Sequence, residues 1–236
     1  MFYEEKTEPR LSDYTGKGNL SYEALLDILE TVSTRHSLSI GDRLTNGDVA
    51  WMILDWRVEI LRRPRLLENF TVKTWSKGKL NSYTSGREFS VCSAKGEHLV
   101  RVASKYALVD VKEKKMVKVG DELEGMYMPE KETQFAEEAP KLSVPETFDL
   151  EAPLVLRKSD LDYNGHVHNT KYLVYALEDL PADDYRADDF TSIRIVYRSS
   201  LRYGDDAVIK RKSIEGGYSF CIFAGETLCT IIELKK

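Results

Sequence analysis

The sequence predicts an α+β fold of two tandem modules, each an antiparallel sheet wrapped around a central helix. Three observations lead to this prediction. The chain has 236 residues, enough for two small domains with cores of their own. Alternating apolar and polar stretches are joined by short turn sequences, as is typical of antiparallel strands. One pattern of a turn, a helix and several strands occurs twice along the chain.

The N-terminal module is expected over residues 1–124. Its polar turn Asp13–Tyr22 leads into a helical pattern at Glu23–Glu30, and a strand at Tyr83–Val91 is followed by a hairpin turn at Ala94–Glu97. The next segment carries four of the seven prolines, with many Glu and Lys residues between them. We therefore expect an exposed linker at 125–152.

The C-terminal module is expected over residues 153–236. Its helical stretch Tyr172–Leu177 is apolar nearly all round, which requires burial on most sides. Hairpin turns are predicted at Glu215–Tyr218 and Ala224–Glu226, on either side of a strand at Tyr218–Phe223. A helix enclosed by a curled antiparallel sheet is the hotdog arrangement, so the chain is predicted to be a double hotdog.

The two modules share an internal repeat. Asp13–Glu30 parallels Asp160–Asp179, and Val58–Val72 resembles Ile195–Ile209 in pattern. Only the second copy contains an Asp-x-Asn-x-His set, so the fold needs neither Asn164 nor His166. Their presence indicates a chemical role.

Asp162, Asn164 and His166 stand at alternate positions just before the second helix. In extended backbone they would point to one side, toward the free N–H groups of that helix. This site would offer a base, hydrogen-bond donors and the positive end of the helix dipole. The alternative interpretation is an ordinary turn followed by a helix N-cap.

Composition excludes several functions. The net charge of −5 disfavours nucleic-acid binding, and most of the basic clusters are interpreted as solvated surface. Cys92, Cys221 and Cys229 have no metal-ligand or disulfide spacing, which indicates buried thiols in a reducing compartment. With no export signal and no membrane-spanning apolar run, we expect a cytoplasmic protein without membrane insertion.

The chain resembles the acyl-ACP thioesterases, the family that includes the plant plastid enzymes that end fatty acid synthesis. The resemblance covers nearly the full length and depends on these residues: Asp162, Asn164, His166, Val167, Asn169, Tyr172, Tyr197, Arg198, Gly204, Asp205, Trp51, Pro64 and Arg101–Leu108. It implies hydrolysis of an acyl-acyl-carrier protein, with catalytic roles for Asp162, Asn164 and His166. His166 and His168 could be two metal ligands, but no Asp or His partners accompany them at suitable spacing, so we expect neither a metal nor a cofactor.

Thioester hydrolysis, the activity that the resemblance implies, requires the motif to stabilise a negative charge and to accept a proton. Water attacking a thioester places negative charge on the carbonyl oxygen, which Asn164 or the backbone N–H groups of 167–169 could stabilise. His166 or Asp162 could take the proton. By resemblance, the N-terminal half forms the acyl-chain pocket. Its apolar candidates, for which core packing is the alternative, are Leu25, Leu26, Ile28, Leu29, Trp51, Met52, Ile53, Trp56 and Trp75.

The sequence departs from the family at two positions. Ser200 stands where the family usually has a glutamate, and a serine cannot deprotonate water at neutral pH. Asp162 or His166 would then be the base, unless Glu178 substitutes from elsewhere. His168 replaces the more usual asparagine and is interpreted as a turn or surface histidine.

Other functions stay open at this point. The carrier could be CoA in place of ACP. A hotdog hydratase or dehydratase also uses Asp-x-Asn and a His, but its His usually lies one position later. The third alternative is a catalytically weak acyl-carrier binding module, motivated by Ser200. The sequence leaves the acyl length and a homodimer undecided.

Overall fold

The computed structural model describes residues 1–42 and 48–236, and the chain divides into two compact units, Met1–Glu138 and Ala139–Lys236. Both are α+β units dominated by an antiparallel sheet, which confirms the predicted fold class. No helix in these residues is long and apolar enough to cross a membrane.

The first unit is built on an antiparallel sheet with the strand order β1-β3-β4-β5-β2, and β6 pairs with β5. Its strands are β1 (Tyr3–Thr7), β2 (Val49–Ile60), β3 (Phe70–Asn81), β4 (Thr84–Ser93), β5 (His98–Asp110) and β6 (Lys115–Met116). Helix α1 (Tyr22–Ser39) packs against β1 and β3, and a short helix α2 (Asp121–Met126) follows the sheet.

Helix α1 begins where the sequence provides a cap. The side chain of Ser21 accepts a hydrogen bond from the Ala24 N–H at 3.1 Å, which satisfies one of the free donors of the first turn. Leu25, Leu26 and Leu29 are completely buried, so this helix supplies much of the core. The helix extends to Ser39, well beyond the predicted 23–30.

The second unit repeats the arrangement with a smaller sheet of order β8-β11-β10-β9-β7. Its strands are β7 (Leu150–Pro153), β8 (Ser192–Tyr197), β9 (Ala207–Ile214), β10 (Gly217–Ala224) and β11 (Thr227–Lys235). Helix α3 (Asn169–Glu178) contacts β11, and a short helix α4 (Ala182–Ala187) follows it. No residue from Tyr172 to Leu177 is exposed, which confirms the predicted burial on most sides.

The three predicted hairpin turns are confirmed. Residues 94–97 join β4 to β5, while the turns at Glu215–Gly216 and Gly225–Glu226 join β9 to β10 and β10 to β11. Within the predicted linker 125–152, the end of α2 and the first residues of β7 are regular structure and the remainder is irregular.

The cysteines differ in burial. Cys221 and Cys229 are buried as predicted, and burial raises the pKa of the Cys221 thiol to about 11. Cys92 is only half-buried, so the prediction is wrong for this residue. It lies near the end of β4, beside the exposed β4–β5 turn.

The internal repeat is confirmed by its hydrogen bonds. Each unit begins its main helix after a tight turn that is closed by the same three backbone bonds. In the first unit these run from Thr15 N to Asn19 O, Ser21 N to Asp13 O and Leu20 N to Pro64 O; in the second they run from Asp162 N to His166 O, His168 N to Asp160 O and Val167 N to Leu201 O. All six lie between 2.7 and 2.8 Å, so one local scaffold is used twice.

Candidate active site

The Asp-x-Asn-x-His motif lies in a tight turn immediately before α3. Asp162 N donates to His166 O at 2.7 Å, Gly165 N donates to Asp162 O at 3.0 Å, and Gly165 has a φ of +75°. The prediction that the three side chains share one side of extended backbone is therefore wrong. The Asp-Tyr-Asn-Gly sequence is a strong turn former, and turn geometry prevails over the alternation of an extended strand.

The carboxylate of Asp162 holds this turn together. Its Oδ1 accepts hydrogen bonds from the backbone N–H of Asn164 at 2.8 Å and of His166 at 3.1 Å. This is the Asx-turn arrangement, in which a short acidic side chain replaces a backbone acceptor. Asp162 is half-buried, and its carboxylate is thereby committed to fixing the backbone on which the other two motif residues stand.

The other two motif residues differ in exposure. His166 is half-buried and forms an isolated antiparallel bridge with Arg202, which ties the motif to the loop between β8 and β9. Asn164 is exposed at the tip of the turn. The structure therefore brings Asp162 and His166 together through two hydrogen bonds and places Asn164 at the surface of this unit.

Two of the backbone donors expected to stabilise an oxyanion are already engaged. Val167 N donates to Leu201 O and His168 N donates to Asp160 O, both at 2.8 Å. The prediction is wrong for these two groups because the scaffold of the repeat uses them. Helix α3 begins at Asn169, so the donors left by helix geometry are those of its first turn, Asn169 and Thr170.

Ser200 is exposed in the loop that runs beside the motif. The next residue anchors that loop, because Leu201 N donates to the Tyr172 hydroxyl at 2.7 Å and Leu201 O accepts from Val167 N. The structure thus places the backbone of Ser200 next to the motif.

The alternative acid Glu178 is too far away to replace the missing glutamate at the motif. It is the last residue of α3, nine positions from Asn169, which corresponds to about 14 Å along a helix axis. Its side chain is exposed at that end. The suggestion that Glu178 substitutes is therefore wrong. His168 is the half-buried N-cap residue of α3, and its Nδ1 lies 2.9 Å from Thr170 Oγ1, so its interpretation as a turn or surface histidine is wrong.

Two tyrosines of α3 support the motif, and of these only Tyr172 was singled out from the sequence. The Tyr175 hydroxyl donates to Oδ2 of the buried Asp160 at 2.8 Å, and burial together with this bond raises the pKa of Tyr175. The ring of Tyr172 lies 5.7 Å from that of Tyr197, whose hydroxyl donates to Asn169 O at 2.9 Å. In the sequence, Tyr175 could have been found by its spacing of three residues from Tyr172 on the helix that follows the motif.

Two open depressions on the surface of the first unit lie elsewhere. One of about 530 Å³ is lined by Arg62, Arg65, Leu66, Leu67 and Glu68, and another of about 370 Å³ is lined by Lys79, Ser82, Lys118, Val119, Gly120 and Asp121. Neither contains a motif residue. Among the predicted acyl-pocket residues, Trp56 and Trp75 are completely buried in the core, whereas Met52 is 43% exposed. The acyl-chain pocket therefore stays a prediction.

The two repeated sheet-and-helix units, with the motif in the second, define a double hotdog protein. Residues 1–127 match the model of the acyl-ACP thioesterase N-terminal domain, and residues 144–224 match that of the C-terminal domain. The chain belongs to the acyl-ACP thioesterase family.

Individual relatives are more distant. The chain is 26% identical over 201 residues to the chloroplastic acyl-(acyl-carrier-protein) hydrolase FATB3 of Cuphea viscosissima, covering 77% of this chain and 48% of the relative. It is 24% identical over 240 residues to the chloroplastic oleoyl-acyl carrier protein thioesterase 1 of Arabidopsis thaliana, covering 92% of this chain and 66% of the relative. The chain thus spans about half to two thirds of the length of these relatives.

Two solved structures have the same fold. An acyl-ACP thioesterase from Bacteroides thetaiotaomicron is 17% identical with a TM-score of 0.86, covering 99% of this chain and 97% of that structure. The 12:0-ACP thioesterase from Umbellularia californica is 19% identical with a TM-score of 0.86, covering 99% and 96%. At these identities the likeness concerns the fold.

Proposed function

We propose that this chain hydrolyses the thioester of a fatty acyl-acyl-carrier protein, releasing the free fatty acid and so ending fatty acid synthesis. The observation that carries the proposal is the match of both family domains along the chain. The names of the relatives support the choice of carrier, since they describe hydrolases of acyl-carrier-protein thioesters. The N-terminal unit would hold the acyl chain.

In this proposal His166 is the general base. It takes a proton from a water molecule as the water oxygen attacks the thioester carbon, and the C–S bond then breaks as the thiolate of the carrier regains a proton. Asp162 is a positioning residue, because its carboxylate accepts from the His166 and Asn164 N–H groups. Asn164 and the first turn of α3 stabilise the charge on the carbonyl oxygen.

Ser200 has a smaller task in this mechanism. Its hydroxyl is exposed beside the motif and can hold the attacking water by a hydrogen bond, but it cannot deprotonate that water. The absence of a carboxylate at position 200 is thus the reason for assigning the base to His166. We expect Ser200→Ala to lower turnover by only a few-fold, since one neutral hydrogen bond is worth about 1 kcal/mol.

The test is thiol release from purified acyl-ACP. We expect turnover by the unaltered chain and a loss of about 100-fold or more in His166→Ala and Asn164→Ala, the usual range for removing a base or an oxyanion donor. His98→Ala is the matched control, because His98 is exposed on β5 in the other unit. Unchanged turnover in both motif variants would show that the site assignment is wrong.

One observation favours a second candidate function. The exposed Ser200 in place of a family glutamate suits a catalytically weak module that binds acyl-carrier protein. This candidate predicts tight binding of acyl-ACP without detectable thiol release, and measurable turnover in Ser200→Glu alone. Turnover by the unaltered chain at a rate that Ser200→Glu does not increase would exclude it.

A further inference from the structure

The same acidic turn occurs in both units. It runs over Arg65–Glu68 in the first unit and over Arg202–Asp205, beside the motif, in the second. The N–H of Glu68 donates to Arg65 O at 2.9 Å, and that of Asp205 donates to Arg202 O at 3.1 Å. In each turn the last side chain also accepts from the first backbone N–H, at 2.9 Å on Glu68 Oε2 and at 2.7 Å on Asp205 Oδ2. The repeat therefore uses a carboxylate twice for one structural task.

The two carboxylates differ in how they are neutralised. In the first unit, Arg62 Nη1 and Nη2 each lie 2.8 Å from an oxygen of Glu68, and these bonds lower the pKa of Glu68. In the second unit, the residue three positions before the turn is Ser199, so this arginine is missing. Across residues 1–42 and 48–236, Asp205 forms no ion pair, the exposed arginines of its own loop included. The second unit thus keeps the acidic cap without the cation that neutralises it.

The carboxylate of Asp205 lies beside the catalytic motif. Asp205 is half-buried, and Arg202, whose N–H it binds, forms the isolated backbone bridge with His166. Bridged residues have Cα atoms about 5 Å apart, so the turn is a direct neighbour of His166. Burial raises the pKa of the Tyr172 hydroxyl, and the carboxylates of Asp205 and Asp162 raise it further. Both carboxylates therefore lie near the same buried hydroxyl.

A negative charge at this place has a use in the proposed mechanism. His166 becomes positively charged when it takes a proton from water, and a nearby carboxylate stabilises that charge. Ser200 has no charge to contribute. Asp162 Oδ1 is already engaged by two backbone N–H groups, whereas Asp205 accepts only one hydrogen bond within the described part of the chain.

We propose that Asp205 is a positioning residue of this site, whose carboxylate stabilises the positive charge that His166 acquires during hydrolysis. The inference deepens the proposed function and rests on it. The proton passes from the attacking water to His166 and then to the leaving thiolate, while Asp205 stays ionised and touches neither water nor thioester. The observation that carries the inference is the loss of the Arg62 counterpart at Ser199, in the copy that contains the motif.

Asp205→Asn separates the charge from the turn. Its amide oxygen can still accept the Arg202 N–H, so the turn is retained while the charge is removed. We expect kcat on acyl-ACP to fall about tenfold with KM unchanged, because the charge acts only when His166 is protonated. The loss should be smaller than for a buried triad carboxylate, since Asp205 and His166 are both half-buried.

Two further variants restore the charge in different ways. Asp205→Glu should keep kcat within about threefold, because Glu68 shows that a glutamate can cap this turn. Ser200→Glu introduced into Asp205→Asn places a carboxylate in the same loop, and we expect it to recover most of the lost kcat. A merely structural role for Asp205 predicts no such recovery, since the asparagine already retains the cap.

Glu68→Gln is the matched control. It removes a carboxylate from the equivalent turn of the first unit, away from the motif, and should leave kcat unchanged. Urea unfolding of all variants checks the fold, and the midpoint of Asp205→Asn should lie close to that of the unaltered chain.

Three results would overturn the inference: an unchanged kcat in Asp205→Asn, an equal fall in Glu68→Gln, or a loss in Asp205→Asn that Ser200→Glu does not recover. The last result would reduce Asp205 to a turn cap. Absence of thiol release by the unaltered chain would instead refute the proposed function, and this inference with it.

Discussion

The role of Asp162 can be separated from general-base catalysis by two substitutions. Asp162→Asn keeps an oxygen that can accept the two N–H bonds of the turn, at 2.8 and 3.1 Å, but removes the negative charge. Asp162→Ala removes both bonds. If the carboxylate only positions the turn, the asparagine variant should keep turnover within about tenfold, whereas loss of a base typically costs 100-fold or more.

The stability cost follows from the same geometry. A hydrogen bond to a charged acceptor contributes about 1.5 to 3 kcal/mol when buried, and Asp162 is only half-buried. We therefore expect Asp162→Ala to lower the free energy of unfolding by about 2 kcal/mol and Asp162→Asn by about half of that. Urea unfolding measures these values, and thiol release from acyl-ACP measures turnover.

The two measurements together decide the role. If Asp162 only positions the turn, the alanine variant should lose at least tenfold more activity than the asparagine variant. The larger loss of activity should accompany the larger loss of unfolding free energy. An asparagine variant as inactive as the alanine variant, at nearly unaltered stability, would refute the reasoning and make Asp162 the base.

Three further predictions concern the remainder of the chain. In the native protein at pH 8, a disulfide reagent should modify Cys92 alone, because Cys221 is buried with its pKa raised to about 11; reaction of two or more thiols per chain would contradict this. Gly165→Ala and Gly18→Ala should each lower the free energy of urea unfolding by about 1 kcal/mol, because both glycines have a φ of +75°. Only Gly165→Ala should also lower turnover. Burial and a neighbouring arginine lower the pKa of His36 to about 4, so the unfolded chain takes up this proton first as the pH falls below about 6.5. Stability should then fall by up to about 3 kcal/mol between pH 6.5 and pH 4, and urea unfolding of His36→Gln should lack this part of the decrease.

The sequence correctly predicted the features that a few consecutive residues determine. Turn residues marked the hairpins at 94–97, 215–218 and 224–226, and the apolar surround of Tyr172–Leu177 indicated a helix buried on most sides. Each of these signals lies within a few consecutive residues, so no knowledge of distant partners was needed.

The geometry of the motif depended on contacts that the sequence does not display. Alternate spacing suggested a shared face, but the side chain of Asp162 and the left-handed Gly165 close a turn instead. The engagement of Val167 and His168 could not be foreseen either, because Leu201 lies more than thirty positions away and Asp160 becomes a neighbour only when the turn folds back.

The most direct test of the account is thiol release from acyl-ACP by the unaltered chain and by His166→Ala, followed over a pH range. We predict measurable turnover that the substitution lowers by about 100-fold or more, with the His98→Ala control unaffected. Equal thiol release by the unaltered chain and His166→Ala would contradict the assignment of His166 as the base.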